Sequence, residues 1–186
     1  LNLTPGGYFL VSVHRQENID LTERLARVLD CLVAVREKWN MPVMVSTHPR
    51  TRTRTRTRTR LEALSRDDLG EITFHEPFGY LDYNNLQLNA KCVISDSGTI
   101  SEESSLMGFS AVTLRGSMER PEALESGSMI MTGLDPDNLL RSIDIELSSI
   151  KASSLPDGYG SSDFSQRVIK YSFSTCGLSR HWRNLI

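Results

Sequence analysis

The chain has 186 residues, 39% hydrophobic and 24% charged, with a formal net charge of -2. That is enough for one well-buried domain and too short for two of the commonest size, and the composition is that of a globular chain rather than a disordered, collagenous or membrane one. The near-neutral charge argues against nucleic acid as a partner, no apolar run approaches the ~20 residues that span a bilayer, and no signal-peptide pattern opens the chain.

Cys31, Cys92 and Cys176 are odd in number and lack CxxC spacing, so neither a disulfide framework nor a zinc site is indicated and a reducing cytoplasm is expected. With Leu rather than Met at position 1, the chain is expected to begin inside a longer gene product.

β-rich runs alternate with helical stretches along the chain. The first run, Tyr8 to His14, leads into a helix for which Asp20 and Glu23 form a capping box and Leu25, Val28, Leu29, Leu32 and Val33 recur at helical spacing. Met41 to His48 is the second run. Thr-Arg then repeats from Thr51 to Arg60, a segment that could attract phosphates but lacks interleaved aromatics, and is expected to be an exposed, solvated stretch. Further runs are Ile72 to Glu76, Cys92 to Asp96, Ala111 to Arg115 and Met129 to Thr132. Helices are expected from Leu81 to Asn89, from Ile100 to Met107 with Gly108 as the stop, and from Pro136 to Leu147. Several runs are almost continuously apolar, as in strands covered on both faces, which predicts an α/β fold with a doubly wound, Rossmann-like parallel sheet. Residues 1–150 form that domain; in 151–186, a Ser/Gly/Pro-rich linker precedes a terminal helix over Ser165 to Ile186 that Gly177 would interrupt.

Open parallel sheets bind ligands at the carboxyl ends of their strands. Those positions here carry His14-Arg15-Gln16-Glu17-Asn18, Ser46-Thr47-His48-Pro49-Arg50, Ser95-Asp96-Ser97-Gly98-Thr99, and Arg115-Gly116 followed by Glu119-Arg120-Pro121-Glu122. The turn through Ser97 and Gly98 opens a helix, and a helix N-terminus suits a pyrophosphate; a plain Ser/Asp-capped helix is the other reading. His14 can donate to a phosphate oxygen or exchange a proton near neutral pH, or be an ordinary strand-end residue. His48 stands at a second strand end. Arg120 can clamp a phosphate bidentately or pair with Glu119 or Glu122. Glu17 is expected to orient the loop of Arg15 and Asn18, and His75 and His181 are taken as structural or surface residues.

In order and spacing, Val13-His14-Arg15-Gln16-Glu17-Asn18, Ser46-Thr47-His48-Pro49-Arg50, Ser95-Asp96-Ser97-Gly98 with Glu102-Glu103, and Glu119-Arg120-Pro121-Glu122-Ala123 resemble the C-terminal domain of the non-hydrolysing UDP-N-acetylglucosamine 2-epimerases. The resemblance covers about Tyr8 to Ile143. The stretch from Ser97 to Ser105, with Thr99 where many relatives have a second glycine, looks closest to the branch acting in UDP-N-acetyl-L-fucosamine synthesis.

The resemblance implies a glycosyltransferase-B-like pair of Rossmann-like domains, of which this chain is the second, UDP-binding one. The tail then packs on this domain or on the missing N-terminal one. His14, Ser97, Gly98 and Arg120 would contact the diphosphate, Glu103 would accept from the ribose, and His48 and Tyr83 would flank the nucleotide. Tyr83 stands where relatives usually carry Phe. His14 is the one catalytic candidate in this chain. The implied reaction inverts C2 of a UDP-hexosamine by elimination and re-addition of UDP, in precursor synthesis for a surface polysaccharide such as capsule or lipopolysaccharide. The carboxylate bases lie on the other domain, no metal or cofactor is implied, and the full-length enzyme is expected to be a homodimer. Two other readings are open: the hydrolysing branch of the family, and a UDP-binding module without catalysis.

Overall fold

The alternation of side chains along the strands decides the architecture. In β1 (Phe9–Ser12), β2 (Val43–Ser46) and β4 (Cys92–Ser95) almost every residue is buried. Phe9, Val11, Val43, Val45, Cys92 and Ile94 belong to one apolar cluster, whereas Leu10, Met44 and Val93 belong to another. Strands with a core on each face require helices on both sides of the sheet. The remaining strands are β3 (Ile72–His75), β5 (Ala111–Thr113) and β6 (Ile130–Met131). All pairings are parallel, in the order β3-β2-β1-β4-β5-β6. That is a doubly wound, Rossmann-like sheet, with its switch point between β1 and β4. The computed structural model describes residues 3–46, 69–118, 122–125, 127–149, 155 and 159–178.

Helix α2 (Thr22–Trp39) covers the first face with Val28, Cys31, Leu32, Val33 and Val35, joined there by Leu139 and Ile143 of a later helix. Two of the expected features around its start are rearranged. Gln16–Asp20 forms a short helix of its own, α1, so Asp20 ends one helix instead of capping the next; α2 starts after Leu21 with no side-chain cap. The cause is Asn18, which is fully buried and tied to Asp96, so the chain is drawn down onto the sheet before the long helix begins. A lost cap costs about 1 kcal/mol, whereas each fully buried Leu or Val contributes roughly 1.5–3 kcal/mol. The apolar stripe therefore outweighs the missing cap. At its other end α2 closes on Asn40 in the left-handed region, whose N–H donates to the Arg36 carbonyl at 2.8 Å.

The second face is covered by α3 (Tyr80–Asn89) and α4 (Ile100–Met107), with Tyr83, Leu86, Ile100 and Met107 against Tyr8, Leu10 and Val93. Gly108 stops α4 at φ 75°, a conformation that favours glycine, and its N–H donates to the Ser104 carbonyl. A short helical turn, α5 (Glu122–Glu125), precedes β6. Helix α6 (Pro136–Ser148) begins as its sequence predicts, with Pro136 in the first turn and the Asp135 carboxylate accepting from the Asn138 N–H at 2.7 Å. Lys38 of α2 pairs with Asp144 of α6.

Residues Leu1–Pro156 form one compact unit and Asp157–Ile186 a second. The second contains α7 (Phe164–Thr175), which leaves Phe164, Val168, Ile169, Tyr171 and Phe173 exposed; Gly177 lies just beyond its end. The expected Thr-Arg segment lies outside the described residues. No described helix is long and apolar enough to cross a membrane.

Candidate functional site

β1 ends at Ser12, two residues before the β-rich run Tyr8 to His14 does, because the backbone beyond it leaves the sheet ladder for a side chain. The N–H of His14 donates to Oδ1 of Asp96 at 3.0 Å and that of Arg15 to Oδ2 at 3.1 Å. Asn18 donates its amide to the same Oδ2 at 2.9 Å, and Arg15 Nε donates to the Asp96 carbonyl at 3.1 Å. In return the Asp96 N–H donates to the Ser12 carbonyl. Asp96 has no exposed surface, and a carboxylate is tolerated there because these donors satisfy it. It joins the loop after β4 to the loop after β1, across the switch point.

His14 completes this arrangement. Its Nδ1 is buried 3.2 Å from Asp96 Oδ1, while 34% of the side chain remains exposed. The ring thus lies beside the same carboxylate that receives the backbone N–H of its own residue. Glu17 pairs with Arg15 at 3.6 Å, and Arg24 donates to Asn18 Oδ1.

The turn after β4 is shaped by its own hydroxyls. Ser95 Oγ accepts from the Ser97 N–H at 3.0 Å, and Ser97 Oγ from the Thr99 N–H at 3.3 Å. Thr99, the residue before α4, caps no helical N–H; its hydroxyl donates instead to Glu103 Oε1 at 2.7 Å. Glu103 Oε2 accepts from the Gln87 amide of α3 at 2.7 Å. Gly98 does not adopt a left-handed φ, and a Cβ there would meet only Arg115 Nη1, at 3.8 Å. No backbone strain demands glycine at this position.

Tyr83 belongs to the same neighbourhood. It packs into the core of the second face, and burial pushes its phenol up to about 12, opposed by the nearby Ser12 hydroxyl and helped by the charges of Glu103 and Asp96. His14, Tyr83, Ser97, Gly98 and Glu103 thus all lie around the carboxyl ends of β1 and β4. His48 and Arg120 lie outside the described residues, as does His181. His75 stacks on Phe78 with ring centroids 4.3 Å apart and its Nδ1 2.8 Å from the Glu76 carbonyl.

Three residues of this region carry more than their sequence positions suggested. Asp96 is the clamp of both loops. Arg115, almost wholly buried, brings a guanidinium beside Gly98. Gln87 holds Glu103 from the neighbouring helix. The signal available for Asp96 was its place at a strand end on the switch point. Among the described residues no group of His, Cys, Asp and Glu could hold a metal ion.

A six-stranded parallel sheet in this order, with its polar loops gathered at the switch point, defines a Rossmann-like α/β domain of the kind found in glycosyltransferase-B-like epimerases. The family described as UDP-N-acetylglucosamine 2-epimerase matches residues 2–171. The chain belongs to that family. It is 35% identical over 155 residues to the UDP-N-acetylglucosamine 2-epimerase of Methanococcus maripaludis, covering 83% of this chain and 42% of that protein. The Methanocaldococcus jannaschii enzyme of the same name is 32% identical, over 88% of this chain and 43% of that protein. A crystal structure of the Methanocaldococcus jannaschii UDP-GlcNAc 2-epimerase in complex with UDP-GlcNAc and UDP superimposes with a TM-score of 0.76 at 30% identity, over 90% of this chain and 45% of that one. The chain thus spans about half the length of the relatives it matches.

Proposed function

We propose that the chain is the C-terminal, UDP-holding half of a UDP-N-acetylhexosamine 2-epimerase of the non-hydrolysing kind, working in the cytoplasm on a precursor of a surface polysaccharide. The observation that carries this reading is the junction at Asp96, which holds the His14 loop and the Ser97-Gly98 turn together across the switch point of a family-matched sheet. His14, Ser97, Gly98 and Arg120 take the diphosphate, Glu103 accepts from the ribose, and His48 and Tyr83 flank the nucleotide. The run Ser97-Gly98-Thr99-Ile100-Ser101-Glu102-Glu103 supports the branch that makes UDP-N-acetyl-L-fucosamine.

A carboxylate of the N-terminal half removes the C2 proton, the C1–O bond breaks, and its electrons leave with UDP, giving a C1=C2 glycal. UDP then re-adds at C1 while a proton returns to the opposite face of C2. Negative charge grows on the departing diphosphate, and donors fixed in advance stabilise it without reorganising. Asp96 contributes by holding the His14 loop in place through the backbone N–H of His14. The tail beyond residue 150 packs on this domain or on the N-terminal half, and the complete enzyme is a homodimer.

The test is deuterium entry at C2 of UDP-N-acetylglucosamine and related UDP-hexosamines in deuterated water, followed by NMR. The reading expects none with this chain alone, and incorporation with retention of the nucleotide when both halves are present. Release of free sugar would place the protein in the hydrolysing branch. Incorporation by this chain alone, abolished by Glu17→Gln, would overturn the division of labour.

A further inference from the structure

Gln87 is the one buried residue of α3 and has no exposed surface. A mid-helix position of that kind ordinarily takes an apolar side chain. The amide turns its NH2 to Glu103 Oε2 at 2.7 Å, the only orientation a carboxylate allows, and its own Oε1 is buried with no hydrogen-bond partner among the described residues. A half-satisfied buried amide is unfavourable for folding, so its reason is sought in what the satisfied half does. Glu103 is gripped at both oxygens, by the Thr99 hydroxyl from its own helix and by Gln87 from the neighbouring one. A glutamate side chain otherwise samples many rotamers. Held like this, it has one orientation and still has lone pairs to offer, since each carboxylate oxygen can accept twice.

We infer that Gln87 is a positioning residue that aims Glu103 at the ribose hydroxyls of the nucleotide and so sets the preference for a ribonucleotide over its deoxy forms. The inference rests on the proposed UDP site. Gln87 touches no ligand itself and acts through Glu103. Preorganisation of this kind raises affinity by removing the cost of ordering the acceptor on binding.

The experiment is calorimetric titration of the chain with UDP, 2′-deoxy-UDP and 3′-deoxy-UDP, alongside thermal melting. The native chain is expected to bind UDP at least tenfold more tightly than one of the deoxy forms, and Glu103→Gln to remove that preference. Gln87→Met, apolar and of similar length, is expected to cut the preference severalfold while leaving the melting temperature unchanged or raised, because it also removes the orphaned acceptor. A residue with a merely structural role would not lose the preference without also losing stability. Should Met pack poorly and lower the melting temperature, Gln87→Leu serves as the second variant lacking a donor. A full preference retained in a folded donor-less variant overturns the role of Gln87 and leaves the UDP site standing. No preference in the native chain overturns the part given to Glu103 and this inference with it. No binding of UDP at all overturns the proposed function as well.

Discussion

His14 and Asp96 are 82 residues apart in the chain and meet where β1 and β4 end, the imidazole Nδ1 lying 3.2 Å from the buried carboxylate that also receives the His14 N–H. One side chain therefore sets the backbone path at the candidate catalytic histidine and lies against its ring. Asp96→Asn keeps the shape and replaces one acceptor with a donor that opposes its neighbours. It is expected to cost about 1.5–3 kcal/mol of stability, the range for hydrogen bonds to charged groups, and to weaken UDP binding. Urea unfolding and calorimetry measure the two effects; if both stay unchanged, Asp96 does not organise the loops.

Gly98 gives a sharper separation of fold from ligand. Its φ is not left-handed, and an added methyl would meet only Arg115 Nη1 at an ordinary contact distance. Gly98→Ala is therefore expected to leave stability within about 0.5 kcal/mol. A diphosphate lying against this turn would be displaced by the methyl, so UDP affinity is expected to fall at least tenfold, about 1.4 kcal/mol. Unchanged affinity in the folded variant would place the diphosphate elsewhere.

Alkaline stability follows from two buried groups. Burial pushes the Cys31 thiol up to about 12, with Asp30 and Asp135 adding to it, and the Tyr83 phenol likewise to about 12. The unfolded chain ionises these groups near their ordinary values of 9.0 and 10.0, so between there and about 12 the folded state binds more protons than the unfolded one. Their contribution is complete below about pH 9 and is lost as pH rises toward 12, at up to about 1.4 kcal/mol per unit for each group. Unfolding free energies measured across that range should decline, and Cys31→Ala and Tyr83→Phe should each flatten the decline. A slope unchanged by both substitutions would contradict the assignment.

Helix α6 provides a control remote from the site. Asp135→Ala removes the acceptor of the Asn138 N–H and is expected to cost about 1 kcal/mol. Thermal melting reads the loss, and UDP binding should be unaffected.

The sheet was legible because Phe9 to Val11, Val43 to Val45 and Cys92 to Ile94 are apolar without interruption, which marks strands covered on both faces. The face of α2 was legible from its spacing, and Gly108 and Pro136 marked helix ends by their backbone chemistry alone. The start of α2 was not, because the competing force on Asn18 comes from Asp96, 78 residues away. Local rules for caps cannot register that. The gathering of His14, Ser97 and Gly98 was legible because a parallel sheet sends its strand ends to one edge. Gln87 escaped notice for the opposite reason: its partner Glu103 is on another helix, and nothing in the sequence around it distinguishes a buried amide from a solvated one.

The central claim is that this domain grips the diphosphate of a UDP-sugar, and thermal melting of the chain with UDP and with UMP tests it most directly. At 100 times its dissociation constant UDP should stabilise the fold by about 2.7 kcal/mol. UMP, lacking the second phosphate that the account assigns to the Ser97-Gly98 turn and Arg120, should do markedly less at the same concentration. Arg120→Ala should narrow the gap, and Arg120→Lys should restore only part of it, since a point charge does not reproduce the guanidinium fork. Equal shifts with UDP and UMP, or none with either, would contradict the account.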